Sequence, residues 1–101
     1  MEIHISSAGG KAVIGLSGRF DFTKQRDFKN SYDPLLLSTT VVELEVDLAG
    51  IEYLDSYALG MLMLLRERAV AAGKSVVLRN PNPTVAQILD IANFKKIFTI
   101  I

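Results

Sequence analysis

The sequence predicts an α/β domain: a mixed β-sheet with helices packed against it, in the order ββαβαβα and closing on an apolar strand or tail. Three observations predict it. Strand-like and helix-like stretches alternate along the chain, as in sheets built from parallel βαβ units with right-handed crossovers. Val42, Leu44, Val46 and Leu48 alternate with Glu43, Glu45 and Asp47, the period of a strand with one face on a core and the other in solvent. Residues that cap or stop helices fall between these runs, among them Asp21, Thr23, Gly73 and Thr84.

The elements follow in order. Glu2–Ser6 alternates polar and apolar residues, Ala8-Gly9-Gly10 supplies a turn, and Lys11–Leu16 is the second strand of a hairpin. Asp21 and Thr23 are both candidate caps for a first helix over about Thr23–Tyr32, with Phe28 and Tyr32 four apart on one face. Asp33-Pro34 should disturb that helix, because proline lacks an amide and turns its predecessor away from helix, with Leu35–Leu37 as one further turn. Ile51–Leu54 leads from the third strand into Asp55-Ser56. Ser56 then opens a helix reaching about Ala72, with Gly73 as its stop. Ser75–Arg79 is a short strand, Asn80-Pro81-Asn82-Pro83 a loop, and Thr84 caps a third helix through about Ala92. Ile97–Ile101 forms the final strand or packed tail.

Composition narrows the function. The 101 residues suit one domain over 1–101, and half of them are hydrophobic, enough for a core burying roughly 60–65% of the unfolded surface. Eleven basic and eleven acidic residues balance, which argues against direct nucleic-acid binding and against polybasic docking on membranes. With no cysteine, disulfides and thiolate metal sites are excluded. The longest apolar run, Ala58–Leu65, is far short of the ~20 residues that span a bilayer, and residues 1–7 lack a signal-peptide layout. A cytoplasmic protein without membrane insertion is expected, with no cofactor and no bound metal.

Two strand-to-helix corners, Phe20–Thr23 and Tyr53–Ser56, sit where open α/β sheets collect functional groups. Ser56 at a helix start places a hydroxyl beside unpaired amides and the positive end of the helix dipole. A phosphate there would be accepted by the domain itself. The same serine also reads as a plain cap, and spacing does not separate the two. On the helix that follows, Ala58, Leu59, Leu62, Leu65, Ala69 and Ala72 share the core arc. Tyr57, Met61, Leu64 and Arg68 lie nearly opposite, a stripe that suits either a partner interface or cover by the protein itself. Met63 and Val70 flank the core arc and need no special role.

These residues resemble a known family. The run Asp47-Leu48-Ala49-Gly50-Ile51-Glu52-Tyr53-Leu54-Asp55-Ser56-Tyr57-Ala58-Leu59-Gly60 is similar to the signature of STAS domains, and Leu16-Ser17-Gly18-Arg19-Phe20-Asp21 to the family's other mark. The Gly73-Lys74 turn, the Val76–Leu78 strand and the Asn80-Pro81 loop fit as well, so the resemblance covers nearly the whole chain. It implies an anti-sigma factor antagonist: a partner that binds an anti-sigma factor, itself a serine kinase, until Ser56 is phosphorylated, and that a serine phosphatase resets. It also implies acidic neighbours, Asp21 and Asp55, beside the phospho-acceptor. With nothing appended to the domain, a free-standing member is expected rather than a transporter tail. The chain departs from the pattern at Tyr57-Ala58, where many members carry a small residue and glycine, which bears on partner choice or on kinase access.

Two rival readings stand beside this one, with a small-molecule or nucleotide sensor as a weaker third, since no pocket can be read from the sequence. A serine hydrolase needs a base beside its nucleophile, yet the one histidine, His4, falls on the first strand and no Gly-x-Ser-x-Gly elbow surrounds Ser56. An enzyme is therefore not expected. A constitutive scaffold subunit, of the kind found in stressosomes or beside lipid transporters, would use the Tyr57 stripe with no phosphoswitch.

Overall fold

A computed structural model describes residues 1–101. Its elements are β1 (Glu2–Ala8), β2 (Lys11–Phe20), a 3-10 turn (Phe22–Lys24), α1 (Gln25–Leu37), β3 (Glu43–Leu54), α2 (Ser56–Ala71), β4 (Ser75–Arg79), α3 (Pro83–Ile91), a second 3-10 turn (Phe94–Lys96) and β5 (Thr99–Ile100). They build a five-stranded mixed sheet in the order β1-β2-β3-β4-β5, antiparallel between β1 and β2 and parallel thereafter. The predicted α/β class and element order hold, and the C-terminal segment is a strand.

Each parallel crossover steps one strand further in the same direction. Right-handed crossovers of that kind put all three helices on one face of the sheet. The core is accordingly one apolar layer. Ala12, Ile14, Leu16, Leu44, Val46, Leu48 and Leu78 from the strands meet Phe28 and Tyr32 of α1, Ala58, Leu62 and Leu65 of α2, and Val85 and Leu89 of α3. Phe20, Phe28 and Tyr32 pack edge to face with centroids 5.0 and 5.2 Å apart. Such pairs add about 0.5–1.5 kcal/mol each beyond the area they bury.

The other face of β3 is not simply solvated. Glu45 is only 4% exposed, because Lys11 Nζ lies 3.0 Å from one carboxylate oxygen and Arg79 Nη1 2.7 Å from the other. The Arg79 hydrogen bond, followed by that of Lys11, holds the Glu45 carboxyl below its ordinary range. The lysine and the guanidinium are raised in return, chiefly by Glu45. Val42, expected in the core row, precedes the strand and is exposed.

β3 also runs further than its alternation suggested, through Ile51–Leu54. Against β2 it carries two extra residues, one between the pairs Gly15–Asp47 and Ser17–Gly50 and one between Gly18–Ile51 and Arg19–Tyr53. Such bulges bend a strand and re-aim its end. Gly50 allows the first: a Cβ there would stand 2.8 Å from Ser17 Cβ and 2.9 Å from the Leu16 carbonyl oxygen.

Three expected helix boundaries move. α1 continues through Pro34 to Leu37 instead of breaking at Asp33. The carbonyl freed by the proline is that of Asn30, an exposed residue. α3 is capped by Asn82 rather than Thr84; Asn82 Oδ1 accepts from Val85 N (2.8 Å), its Nδ2 donates to the Ile51 carbonyl (2.8 Å), and Pro83 takes the first helical position. At the start of α2, Asp55 replaces Ser56 as the cap.

Two outcomes follow. Gly50→Ala should lower unfolding stability by about 1–3 kcal/mol in urea titrations, since backbone and not a pliable side chain blocks the new methyl. Glu45 is the opposite kind of test: its folded pKa is depressed, so its contribution is present above the ordinary carboxylate range and is lost as pH falls through the lowered value. Glu45→Gln should therefore be less stable than the parent near neutral pH, with the difference closing in acid; a gap independent of pH would contradict the clamp.

Candidate functional site

The ends of β2 and β3 lie side by side, Phe20 opposite Leu54, so the two following corners are neighbours. Asp55 joins them. Its backbone amide donates to the Phe20 carbonyl (3.3 Å), its Oδ1 accepts from Ala58 N inside α2 (2.9 Å), and its Oδ2 accepts from Phe22 N in the other corner (3.3 Å). A carboxylate in extended backbone at the N-cap has two oxygens for two amides. Asp55 and not Ser56 thus caps the helix, and ties it to the neighbouring corner.

Ser56 is thereby the first residue of α2, exposed and released from capping. Its expected acidic neighbours are present but engaged. Asp21 Oδ1 accepts from Thr23 N (3.0 Å) and from the Thr23 hydroxyl, capping the short turn. The Thr23 hydroxyl above all, with the Thr23 amide, Lys24 and Arg19 adding, lowers the Asp21 carboxyl below its usual value. Asp55 is held by Ala58 and Phe22. Of the amides at this helix start, that of Ala58 is already taken by Asp55. The Ser56 and Tyr57 amides have no carbonyl four residues back within the helix.

The predicted stripe along α2 divides. Tyr57 is 67% exposed, Leu64 half-buried, and Met61, expected on the surface, is 9% exposed and part of the core. Arg68 reaches Asp33 of α1 (3.8 Å), which is also paired with Lys29 (2.6 Å). The stripe thus turns from an open surface at Tyr57 into the α1–α2 contact by Arg68. The core arc shifts with it: Leu59 is half-buried and Ala72 exposed, while Met63 and Val70 face outward.

The feature missing from the sequence reading is Phe22. It is 63% exposed, held in place by its amide on Asp55, and its ring lies 6.0 Å from that of Tyr57. Between them opens a groove of about 260 Å³, walled by Phe22 and Gln25 on one side and Ser56, Tyr57, Gly60 and Leu64 on the other, with Met61 beneath. An apolar residue between Asp21 and Thr23 in a turn was the only signal for it. His4 sits on β1, two strands away from β3, with Glu2 at 3.7 Å. No group of three or more metal-binding side chains is assembled, and no helix is long and apolar enough to cross a membrane.

Known proteins share this fold. Residues 3–100 match the family model described as "Mlab, STAS domain". A STAS-domain-containing protein of Pseudomonas aeruginosa is 41% identical over 95 residues, covering 94% of this chain and 92% of that one. Among solved structures, a putative anti-sigma factor antagonist of Thermotoga maritima superposes with a TM-score of 0.85 at 19% identity, over 97% of this chain and 84% of the other. The anti-sigma factor antagonist SpoIIAA of Bacillus superposes at 15% identity over 99% of this chain, with TM-scores of 0.76 unphosphorylated and 0.75 phosphorylated, covering 87% and 91% of those chains.

The Asp55 arrangement predicts its own mutants. Asp55→Ala removes the cap and the tie to Phe22 together and should cost about 0.5–2 kcal/mol in chemical unfolding, the usual range for a lost cap. Asp55→Asn keeps an acceptor oxygen and should recover most of it. Equal stability of all three proteins would contradict the role given to the carboxylate.

Proposed function

The chain belongs to the STAS-domain family, and on that footing we propose that it is an anti-sigma factor antagonist whose docking is set by phosphorylation of Ser56. Unmodified, the domain binds an anti-sigma factor that is also its serine kinase; phosphorylated, it lets go, and a serine phosphatase restores binding. The control over transcription is indirect, exerted in the cytoplasm by association and not by catalysis. The observation that carries this reading is an exposed serine at the first turn of α2, released from capping by Asp55.

The physics favours a change in docking over a change in fold. A phosphoserine adds about −1.5 to −2 charges near neutral pH. The α2 dipole offsets this by roughly 0.3–1 kcal/mol, up to about 2 when partly buried, and the Asp55 carboxylate next to it works the other way. Across an interface built for a neutral serine, opposing like charges cost several kcal/mol. At about 1.4 kcal/mol per tenfold in affinity, the interface penalty wins. SpoIIAA has this fold in both its unphosphorylated and phosphorylated forms, which fits a change in docking.

The docking surface in this proposal centres on Tyr57 and Leu64, with Phe22 added, Met61 supporting them from below and Arg68 at the far end. A second reading draws on the family description, which names Mlab: a constitutive scaffold subunit would use the same aromatic groove with no dependence on Ser56.

The two readings part on mutants. With the anti-sigma partner identified by pull-down, calorimetry should show Ser56→Ala binding like the parent and Ser56→Asp binding at least about tenfold more weakly. Equal binding by Ser56→Asp favours the scaffold. Tyr57→Ala should reduce affinity with an unchanged melting temperature, since that side chain lies outside the core; unchanged affinity would take the aromatic pair out of the interface.

A further inference from the structure

The two edges of the sheet are built differently. β5 has two residues, followed by the Ile101 amide on the Leu78 carbonyl, so it offers little backbone to another strand. β1 has seven, in unbroken register with β2 from Glu2–Ser17 to Ala8–Lys11. The far side of β1 is therefore a straight row of backbone donors and acceptors with no partner strand. Proteins usually blunt such an edge with lysine, proline or a bulge. Glu2–Ala8 contains none of these, although the chain carries eleven basic residues elsewhere.

The side chains add a second observation. Pairing of Ile3 with Leu16 and Ile5 with Ile14 puts both isoleucines on the helix side of the sheet. Ile14 is fully buried, yet Ile5 next to it is 44% exposed. The apolar layer simply stops at the edge. Glu2, His4 and Ser6 alternate onto the open face.

We infer that β1 pairs antiparallel with β1 of a second copy, about a two-fold axis at His4, to join two sheets into one of ten strands. Symmetry restricts the choice. A two-fold axis through a continuous sheet keeps the helix side of both copies together, so odd residues meet odd and even meet even. An axis at Ile5 sets Ile5 against itself but Ile3 against Ser7 twice, and one at Ile3 sets Ile3 against itself and Ile5 against Met1 but shortens the ladder to residues 1–5. Only the axis at His4 sets Ile3 against Ile5 twice, continuing the apolar layer, with Glu2 opposite Ser6 on the open face. A strand-to-strand contact is small, so association belongs to the weak class. Its consequence is bivalency: β1 runs antiparallel to β2, so the two Ser56 corners point to opposite ends of the pair and both remain free.

The test needs only the chain itself and does not depend on the role of Ser56. Sedimentation velocity from low micromolar to millimolar should show the mass rising from 11.1 kDa toward twice that, and Ile5→Lys should stay monomeric with an unchanged circular dichroism spectrum. The cysteine-free sequence allows a register test as well. Cα atoms directly across such a pair lie about 4.5–5.5 Å apart, within disulfide reach. Under mild oxidation His4→Cys should cross-link at least tenfold faster than Glu2→Cys. A parent chain that stays monomeric at millimolar concentration leaves the edge to a strand from some other protein and overturns the proposal, as does a dimer in which His4→Cys cross-links no faster than Glu2→Cys.

Discussion

One carboxylate organises the functional end of this domain. Asp55 holds the first turn of α2 through Ala58 and the β2–α1 corner through Phe22. Both attachments are needed for the surface that results. The first frees Ser56 from capping, and the second sets Phe22 beside Tyr57, so the hydroxyl and the aromatic groove share one rim. The rest of the fold delivers these parts. Two bulges bend β3 as it approaches Asp55, and Gly50 lets the strands come close enough for the first of them.

The strands and helices were largely legible in the sequence because their signals are periodic. Alternation from Leu44 to Leu48 located β3, and the glycine pair at 9–10 located the hairpin. What periodicity could not show was which of several polar residues would win a given amide. Asp55 beat Ser56, and Asn82 beat Thr84, by geometry that forms only once the strands are paired. Asn82 also bonds Ile51, thirty-one residues away in the chain. Pro34 misled for a related reason: a proline is tolerated where the carbonyl it frees faces solvent, and exposure is a property of the fold.

The place of the candidate site in the fold was legible, and its surroundings less so. Asp55-Ser56 at a strand-to-helix corner was readable as such. The stripe through Met61 was not, because a helical wheel places a residue on an arc without saying how far neighbouring elements reach around it. Here Met61 is buried and Leu64 half-buried, while Tyr57 stays open and the exposed Arg68 reaches across to Asp33 of α1. Glu45 gives the same lesson on the sheet. Its position in the alternation marked it as solvent-facing, yet Lys11 and Arg79 from the adjoining strands enclose it.

A switch at Ser56 has little reason to act through the core. The serine is exposed, its helix is already capped, and the nearest structural carboxylate is committed to two amides. Negative charge added there is left facing outward, where only a second protein can respond to it. The affinity of the proposed anti-sigma partner for protein carrying phosphoserine at position 56, measured beside unmodified protein of equal stability, tests this most directly. The account predicts a loss of about 100-fold or more; equal affinity in the two states would contradict it.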